Sequence, residues 1–274
     1  MSETLPKDEM SFLDHLEELR WHLIRSVLAI VIIATIAFLF KDFIFDVLLF
    51  GPKNKDFITY RWFCTISQTL GQGSSFCIDE LPFRIQSRTV AGQFSAHLWT
   101  SVLAGFILSF PYIIYEFWKF ISPGLYEKER KNARGFIFIA SILFFIGVLF
   151  GYYIVTPLSF NFLGNYSVSS EIFNDFDLSS YIGLLRASVL ASGIIFELPI
   201  IIYFLTRIGV VTPEFLRKNR KISLVLVLSL SAIITPPDVV SQIIVSIPIL
   251  ILYEVSILIA KIVTKNQDKA LKNV

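Results

Sequence analysis

Charged residues are scarce in this sequence. Asp, Glu, Lys and Arg make up 17% of its 274 residues and hydrophobic types 54%, whereas a soluble domain carries about 25% charged residues. This composition excludes an ordinary soluble domain and indicates a polytopic membrane protein. The net charge of +2 is too small to indicate nucleic-acid binding. We expect no cleavable signal peptide, because the first ten residues are polar rather than basic and then apolar.

Residues that commonly carry catalysis or bind metals are also few. The three histidines, His15, His22 and His97, lie outside the centres of the apolar segments, so no embedded Ser–His pair or metal cluster is visible. The G-x-x-x-x-G-K-[ST] phosphate-binding loop is absent, which excludes ATP hydrolysis by that route. We therefore expect no enzyme activity, no metal and no cofactor.

Only two cysteines occur, Cys64 and Cys77, both in the polar segment after the first apolar run. If that segment faces an oxidising compartment, the two thiols are able to close a small loop as a disulfide. The alternative is a pair of free thiols.

Long apolar segments make up most of the chain. A bilayer core of about 30 Å needs about 20 apolar helical residues, and runs of this kind occupy 23–40, 97–118, 135–156, 181–206 and 239–260. A sixth run, 222–235, extends only about 21 Å. It ends at Thr235-Pro236-Pro237-Asp238, where the two prolines prevent helix continuation. We predict an all-α membrane protein of six helices, the fifth and sixth forming a short hairpin.

Lysine and arginine predict the orientation. They cluster after the second and fourth runs and in the C-terminal tail, whereas 157–180 contains none. By the positive-inside rule both termini are cytoplasmic. The 41–95 segment disagrees because it is also basic, but it approaches the length at which the rule weakens. We predict a cytoplasmic amphipathic segment at 1–22 and a cytoplasmic tail at 261–274. Between them, at 23–260, lies the integral membrane domain, with an external loop at about 41–95.

Glu197 is a carboxylate inside the fourth apolar run. A charged side chain at the bilayer centre costs about 2.5–3.5 kcal/mol on insertion scales, so it is a functional hypothesis by default. Pro199 follows and leaves the carbonyl of Ile195 without its usual helical partner. The alternative is a neutral Glu that hydrogen-bonds to another helix.

Two charged clusters flank the first two runs on the cytoplasmic side. Glu18 and Arg20 directly precede the first run, and Phe120 and Glu129 lie in the segment that ends the second run and opens the third. Interfacial anchoring and the helix dipole account for these charges. The alternative is that Glu18 and Glu129 together form an acidic site for a guanidinium group.

Thr235, Asp238 and Gln242 form a polar patch at the external end of the predicted hairpin. Asp238 and Gln242 are one helical turn apart and share a face. The patch either satisfies its own hydrogen bonds or binds a partner.

Several motifs in this order resemble the family of the twin-arginine translocase subunit TatC. They are HLEELR at 15–20, FISPGLYEKER at 120–130, PLSF at 157–160, FELP at 196–199 and TPPDVVSQ at 235–242. The resemblance implies six helices with a concave face around a buried glutamate. It also implies a receptor in the bacterial inner membrane that binds the twin-arginine signal peptides of folded precursors. Such a receptor recruits single-span TatA- and TatB-like subunits, in homo- and hetero-oligomers, for export driven by the proton-motive force.

The resemblance also assigns roles to residues. Glu18, Arg20, Phe120 and Glu129 match the signal-peptide site, and Glu197, followed by Pro199, matches the buried acid of the cavity. Thr235, Asp238 and Gln242 match the hairpin where partner subunits dock. Two departures stand out: the 41–95 loop is longer than in the common pattern, and Glu127 replaces a residue that is basic in many relatives.

A proton-coupled transporter of a small solute, with Glu197 as the coupling acid, is the alternative function. Such transporters are commonly built from two repeats with discontinuous helices in both halves. No internal repeat is apparent in this sequence.

Overall fold

The structure, a computed structural model, describes residues 12–69, 77, 81–121, 133–172 and 174–272, and side chains within 16–69, 77, 81–121, 135–172 and 174–267. The helices are α1 (Phe12–Leu39), α2 (Ile58–Thr69), α3 (Gly92–Ile121), α4 (Ala133–Phe150), α5 (Thr156–Asn165), α6 (Leu178–Phe196), α7 (Leu198–Arg207), α8 (Pro213–Lys218), α9 (Arg220–Ile234) and α10 (Val239–Lys272). Strands β1 (Arg84–Gln86) and β2 (Asp175–Asp177) pair in parallel.

Helical segments long and apolar enough to cross a membrane number five in the described part of the chain. They are Leu16–Leu39, Gly92–Ile121, Gly135–Asn165, Leu178–Arg207 and Val239–Gln267. Helix α9 has 15 residues and extends only about 22 Å. We number α9 as the fifth span and Val239–Gln267 as the sixth. The prediction of an all-α, multi-pass membrane protein with a short fifth helix is confirmed.

The third span is longer than the predicted run of 135–156. Helix α4 continues through a π-helical segment, Gly151–Val155, into α5. Pro157 sits in the first turn of α5, where its fixed backbone dihedral is tolerated. It has no N–H for the carbonyl of Tyr153, and the hydroxyl of Thr59 donates to that carbonyl instead.

The fourth span is interrupted, whereas 181–206 was predicted as one run. Glu197 ends α6 and begins α7, with φ −75° and ψ −3°. Its N–H donates to the carbonyl of Ile194 at 3.1 Å. Pro199 lies in the first turn of α7. The proline that we expected to loosen the helix is therefore accommodated by a helix break at the acidic residue.

The predicted hairpin joins α9 to α10. Thr235, in extended conformation, ends α9, and the side-chain amide of Gln242 donates to the carbonyl of Leu228 across the hairpin at 3.0 Å. Val227 of α9 packs with Val245 and with other buried apolar side chains, among them Val155 and Ile249. The hairpin is thus held against the third span by an apolar core.

Packing divides the chain into two units. One comprises Met1–Phe40 and Leu98–Ile142, and the other Lys41–His97 and Leu143–Val274. In the first unit α1 and α3 approach so closely that a Cβ on Gly105 would lie 2.6 Å from the carbonyl of Ile30. The single integral domain predicted over 23–260 stays a prediction.

The 41–95 segment has structure of its own. It contains α2 and β1, and a disulfide joins Cys64 to Cys77. Strand β1 pairs with β2 in the register Arg84–Asp175. The sequence interpretation did not include this strand pair, because each three-residue strand exists only through a partner far away in the chain.

Candidate functional site

Glu18 has an unsatisfied acceptor. It is half-buried on α1, and its Oε2 atom is buried without a hydrogen-bond partner among the described residues. A buried acceptor without a donor costs free energy, which a ligand that supplies the donor recovers. An ionised carboxylate binds a guanidinium with short, charge-assisted hydrogen bonds. Glu18 is therefore suited to a cationic ligand.

A cluster of polar side chains surrounds Glu116, in the same packing unit as Glu18. Glu116 Oε2 is 2.6 Å from His22 Nδ1 and 3.8 Å from a guanidinium nitrogen of Arg25, and Glu116 Oε1 is 4.0 Å from Lys119 Nζ. The side chain of Tyr112 also hydrogen-bonds to Glu116. The Glu116 side chain is only 3% exposed. We call His22, Arg25, Tyr112, Glu116 and Lys119 the Glu116 cluster.

The Glu116 cluster contacts one of the predicted site residues, Phe120. Phe120 packs edge-on against His22, with ring centroids 6.3 Å apart. Glu18 precedes His22 by one helical turn, so the two share a face of α1. Arg20 is exposed on another side of α1, with its guanidinium 3.7 Å from the carboxylate of Glu17. Glu129, the fourth predicted residue of this site, lies outside the described residues, as does Glu127.

Sequence reasoning missed Glu116. It lies near the end of the second apolar run, three residues before Lys119, where an acid looks like an ordinary interfacial charge. The sequence did offer one indication: Glu116 lies near the end of the second apolar run, and His22 lies at the start of the first. Their pairing joins residues 94 positions apart and was not visible without the fold.

Glu197 is 8% exposed, and its Oε1 atom is buried without a hydrogen-bond partner among the described residues. The carboxyl group also interacts with the backbone of Phe144 in α4. Next to it, Phe196 packs against Phe150 with ring centroids 5.4 Å apart. The carboxyl group of Glu197 therefore points from the fourth span toward the third, and its Oε1 atom is still available as an acceptor. Pro199, the other residue predicted for this site, is buried in the following turn.

The hairpin residues are held by local hydrogen bonds. Thr235 donates to the carbonyl of Ser231 at 2.8 Å. Asp238 caps α10, because its Oδ2 atom accepts from the N–H and the hydroxyl of Ser241 at 2.8 and 2.6 Å. Burial alone would raise the pKa of Asp238, but these hydrogen bonds and one from Val240 hold it below its usual value. Asp238 and Gln242 thus stabilise the hairpin itself through hydrogen bonds, whether or not a partner binds there.

Two cavities accompany these elements. One, of about 430 Å³, is lined by Leu158, Asn161, Phe162, Asn165, Tyr166, Asp238, Val240 and Ser241. Another, of about 660 Å³, has charged and aromatic walls that include Lys41, Asp46, Lys53 and Phe94. Only the first contains a predicted site residue, Asp238. Within the described residues, no group of three or more His, Cys, Asp or Glu is placed to hold a metal ion.

Comparison with known proteins gives consistent results. The family model for the Sec-independent protein translocase protein (TatC) matches residues 14–248. The chain is 47% identical over 262 residues to the Sec-independent protein translocase protein TatC of Blattabacterium sp. subsp. Periplaneta americana (strain BPLAN), covering 95% of this chain and 98% of the relative. The TatC protein of Aquifex aeolicus (strain VF5) is 34% identical over 264 residues, covering 96% and 100%.

A solved structure agrees. The crystal structure of a twin-arginine translocase receptor, TatC, superposes with a TM-score of 0.67 at 33% identity and covers 91% of this chain and 99% of its own. These matches support a protein-translocation role rather than the small-solute transporter that we considered as the alternative, and the family is not one of enzymes. The chain therefore belongs to the Sec-independent protein translocase protein TatC family, and is a multi-pass membrane component of the twin-arginine protein translocase.

Proposed function

We propose that this chain is the signal-peptide receptor and core membrane subunit of its translocase. It binds the paired arginines of signal peptides on folded precursors, and it recruits TatA- and TatB-like single-span subunits for export driven by the proton-motive force. The observation that carries the proposal is the buried, unpartnered carboxylate oxygen of Glu18. Glu129 is the second carboxylate of the proposed site, and Phe120 and Arg20 flank it.

The proposed location is the bacterial inner membrane, with both termini in the cytoplasm. The basic segments after the second and fourth spans support this orientation. The disulfide between Cys64 and Cys77 supports it independently, because disulfides persist in oxidising compartments such as the bacterial periplasm.

Binding of a labelled twin-arginine peptide to the reconstituted protein tests the receptor role. Hydrogen bonds to charged groups contribute about 1.5–3 kcal/mol, so Glu18→Gln should weaken binding by at least about tenfold. Glu129→Lys should abolish binding and export while the protein still inserts. Glu17→Gln is the matched control, because Glu17 neighbours Glu18 but its side chain is 65% exposed. Wild-type binding by Glu18→Gln, or an equal loss in Glu17→Gln, would refute the assignment.

Glu197 has a separable role in recruiting partner subunits. Its available acceptor suits a polar group on a partner's single span, since interhelical hydrogen bonds stabilise contacts inside the membrane. Glu197→Ala should therefore reduce crosslinking to the single-span subunits and change signal-peptide binding by less than about twofold. Glu197→Gln, which keeps an acceptor, should retain most of the crosslinking. Wild-type crosslinking in Glu197→Ala would contradict this role.

A further inference from the structure

Helix α2 carries an exposed apolar stripe. Ile58, Trp62 and Ile66 follow at four-residue spacing and lie within about 80° of the helix circumference. All three are exposed, Trp62 by 62%. Leaving three large apolar side chains in water forgoes the favourable free energy of burying them. The stripe therefore needs an apolar environment that the chain itself does not supply within its described residues.

The other side of α2 is fixed to the third span. Thr59 donates its hydroxyl to the carbonyl of Tyr153, the acceptor that Pro157 leaves without a helical partner. Tyr60 donates to the carbonyl of Pro52 at 2.9 Å and lies 3.4 Å from that of Pro157. Both hydroxyls sit on the buried side of α2. These contacts set the depth of α2 relative to the membrane.

That depth is the edge of the bilayer. Tyr153 lies about 27 Å along the helix from Gly135, the start of the third span, at about 1.5 Å per residue. The hydrocarbon core is about 30 Å thick, so Tyr153 is close to the far boundary. Leu149 and Tyr153 on the spanning helix are exposed. The apolar stripe of α2 adjoins its buried side around the helix circumference.

The opposite flank of α2 is polar. Arg61, Thr65 and Gln68 are exposed and lie within about 60° of one another on the side of the stripe away from the third span. A tryptophan on the apolar side with an arginine on the polar side is typical of helices that lie in the membrane interface. The guanidinium of Arg61 complements the phosphates of lipid headgroups.

We propose that α2 lies in the headgroup layer of the bilayer, with Ile58, Trp62 and Ile66 among the upper acyl chains and Arg61 at the phosphates. The helix thereby anchors the described part of the 41–95 segment to the membrane surface. This placement also accounts for Arg61, one of the basic residues by which the 41–95 segment departs from the positive-inside rule, because lipid phosphates neutralise its charge. The proposal does not depend on signal-peptide binding.

Depth-dependent quenching of Trp62 tests the proposal. The full chain is reconstituted in phosphatidylcholine–phosphatidylglycerol vesicles brominated at acyl carbons 6,7 or 11,12. Because the chain has four tryptophans, the Trp62 signal is the difference between wild type and Trp62→Phe. It should be quenched more by bromines at carbons 6,7 than at 11,12, and weakly by aqueous iodide. Quenching by iodide without quenching by lipid, or by neither as under a second protein, would overturn the proposal.

A matched pair of variants gives an independent readout. Trp62→Glu and Thr65→Glu each introduce one carboxylate at an exposed position of α2. Lipid docking predicts that Trp62→Glu lowers the Tm of the reconstituted protein by several degrees, whereas Thr65→Glu leaves it unchanged. Equal effects of the two substitutions would contradict docking of the apolar stripe.

Discussion

Glu116 is a buried acid that lies within 4.0 Å of His22, Arg25 and Lys119. Removing Glu116 leaves the buried ring nitrogen of His22 without its hydrogen-bond partner, and an unsatisfied buried polar group costs about 1–3 kcal/mol. Glu116→Ala should lower the free energy of unfolding by about that amount, and Glu116→Gln, which keeps a hydrogen-bonding group, by less. Thermal unfolding in detergent measures both.

Glu254→Ala is the control for this prediction. Glu254 pairs with Arg220 at 2.7 Å, but the two side chains are 54% and 53% exposed. Exposed pairs contribute about 0–1 kcal/mol. If the losses in Glu116→Ala and Glu254→Ala were equal, the Glu116 cluster would not be the buried link between α1 and α3 that its distances indicate.

Asp238 has a pH-dependent effect on stability. Its pKa is below the usual value, despite burial that alone would raise it, because Ser241 and Val240 donate hydrogen bonds to the carboxylate. The stabilisation is therefore complete above the ordinary Asp pKa of about 3.9 and is lost as the pH falls through the lowered pKa. Asp238→Ala should cost about 1 kcal/mol at neutral pH, whereas Asp238→Asn, an equally good cap, should cost little and abolish this pH dependence. Unfolding at pH 7 and pH 3 measures both effects.

Sequence reasoning identified some of these residues and missed others for a physical reason. Glu197 stood out because an acid in an apolar run is costly wherever its partners lie. Asp238 stood out because two prolines precede it, but its capping role depends on Ser241 and was not predicted. Glu116 did not stand out at all, because its importance comes from His22, a residue remote in sequence.

At the scale of elements, the contact between the third and fourth spans depends on glycines of the third. A Cβ on Gly147 would lie 2.6 Å from the carbonyl of Ser192 and 2.8 Å from Cβ of Phe196. Small residues allow membrane helices to approach this closely. Gly147→Ala should therefore destabilise the protein by about 1–3 kcal/mol through overpacking, as measured by Tm in detergent.

Gly183→Ala is the matched control in the fourth span, because a Cβ there meets no atom within 4 Å. It should leave stability unchanged or raise it by up to about 1 kcal/mol, the helix-propensity difference. A loss in Gly183→Ala as large as in Gly147→Ala would show that helix glycines matter here for some reason other than close packing.

Periodicity and breakers predicted the elements whose causes are local. The short fifth span and its turn follow from the apolar run ending at Pro236 and Pro237, and the structure confirms both. Helix α2 and the strand pair were not predicted. Their positions follow from contacts across the chain, such as Thr59 with Tyr153 and Arg84 with Asp175.

At the scale of the whole molecule, hydropathy and family resemblance predicted the class of protein correctly. The apolar helices show that the protein is all-α and multi-pass, and the matches show that it belongs to the TatC family. The residues that bind a signal peptide and those that bind partner subunits remain proposals. Glu18 and Glu197 carry them, because each has a buried oxygen that no described residue satisfies.

The most direct measurement is a double-mutant cycle between this protein and its peptide. Binding is measured for wild type and Glu18→Gln, each with a twin-arginine peptide and with peptides in which one arginine at a time is replaced by glutamine. A direct contact predicts a coupling energy of about 1.5 kcal/mol or more between Glu18 and one arginine. Additive effects for both arginines would show that Glu18 does not hold the signal peptide, and would contradict the proposed receptor site.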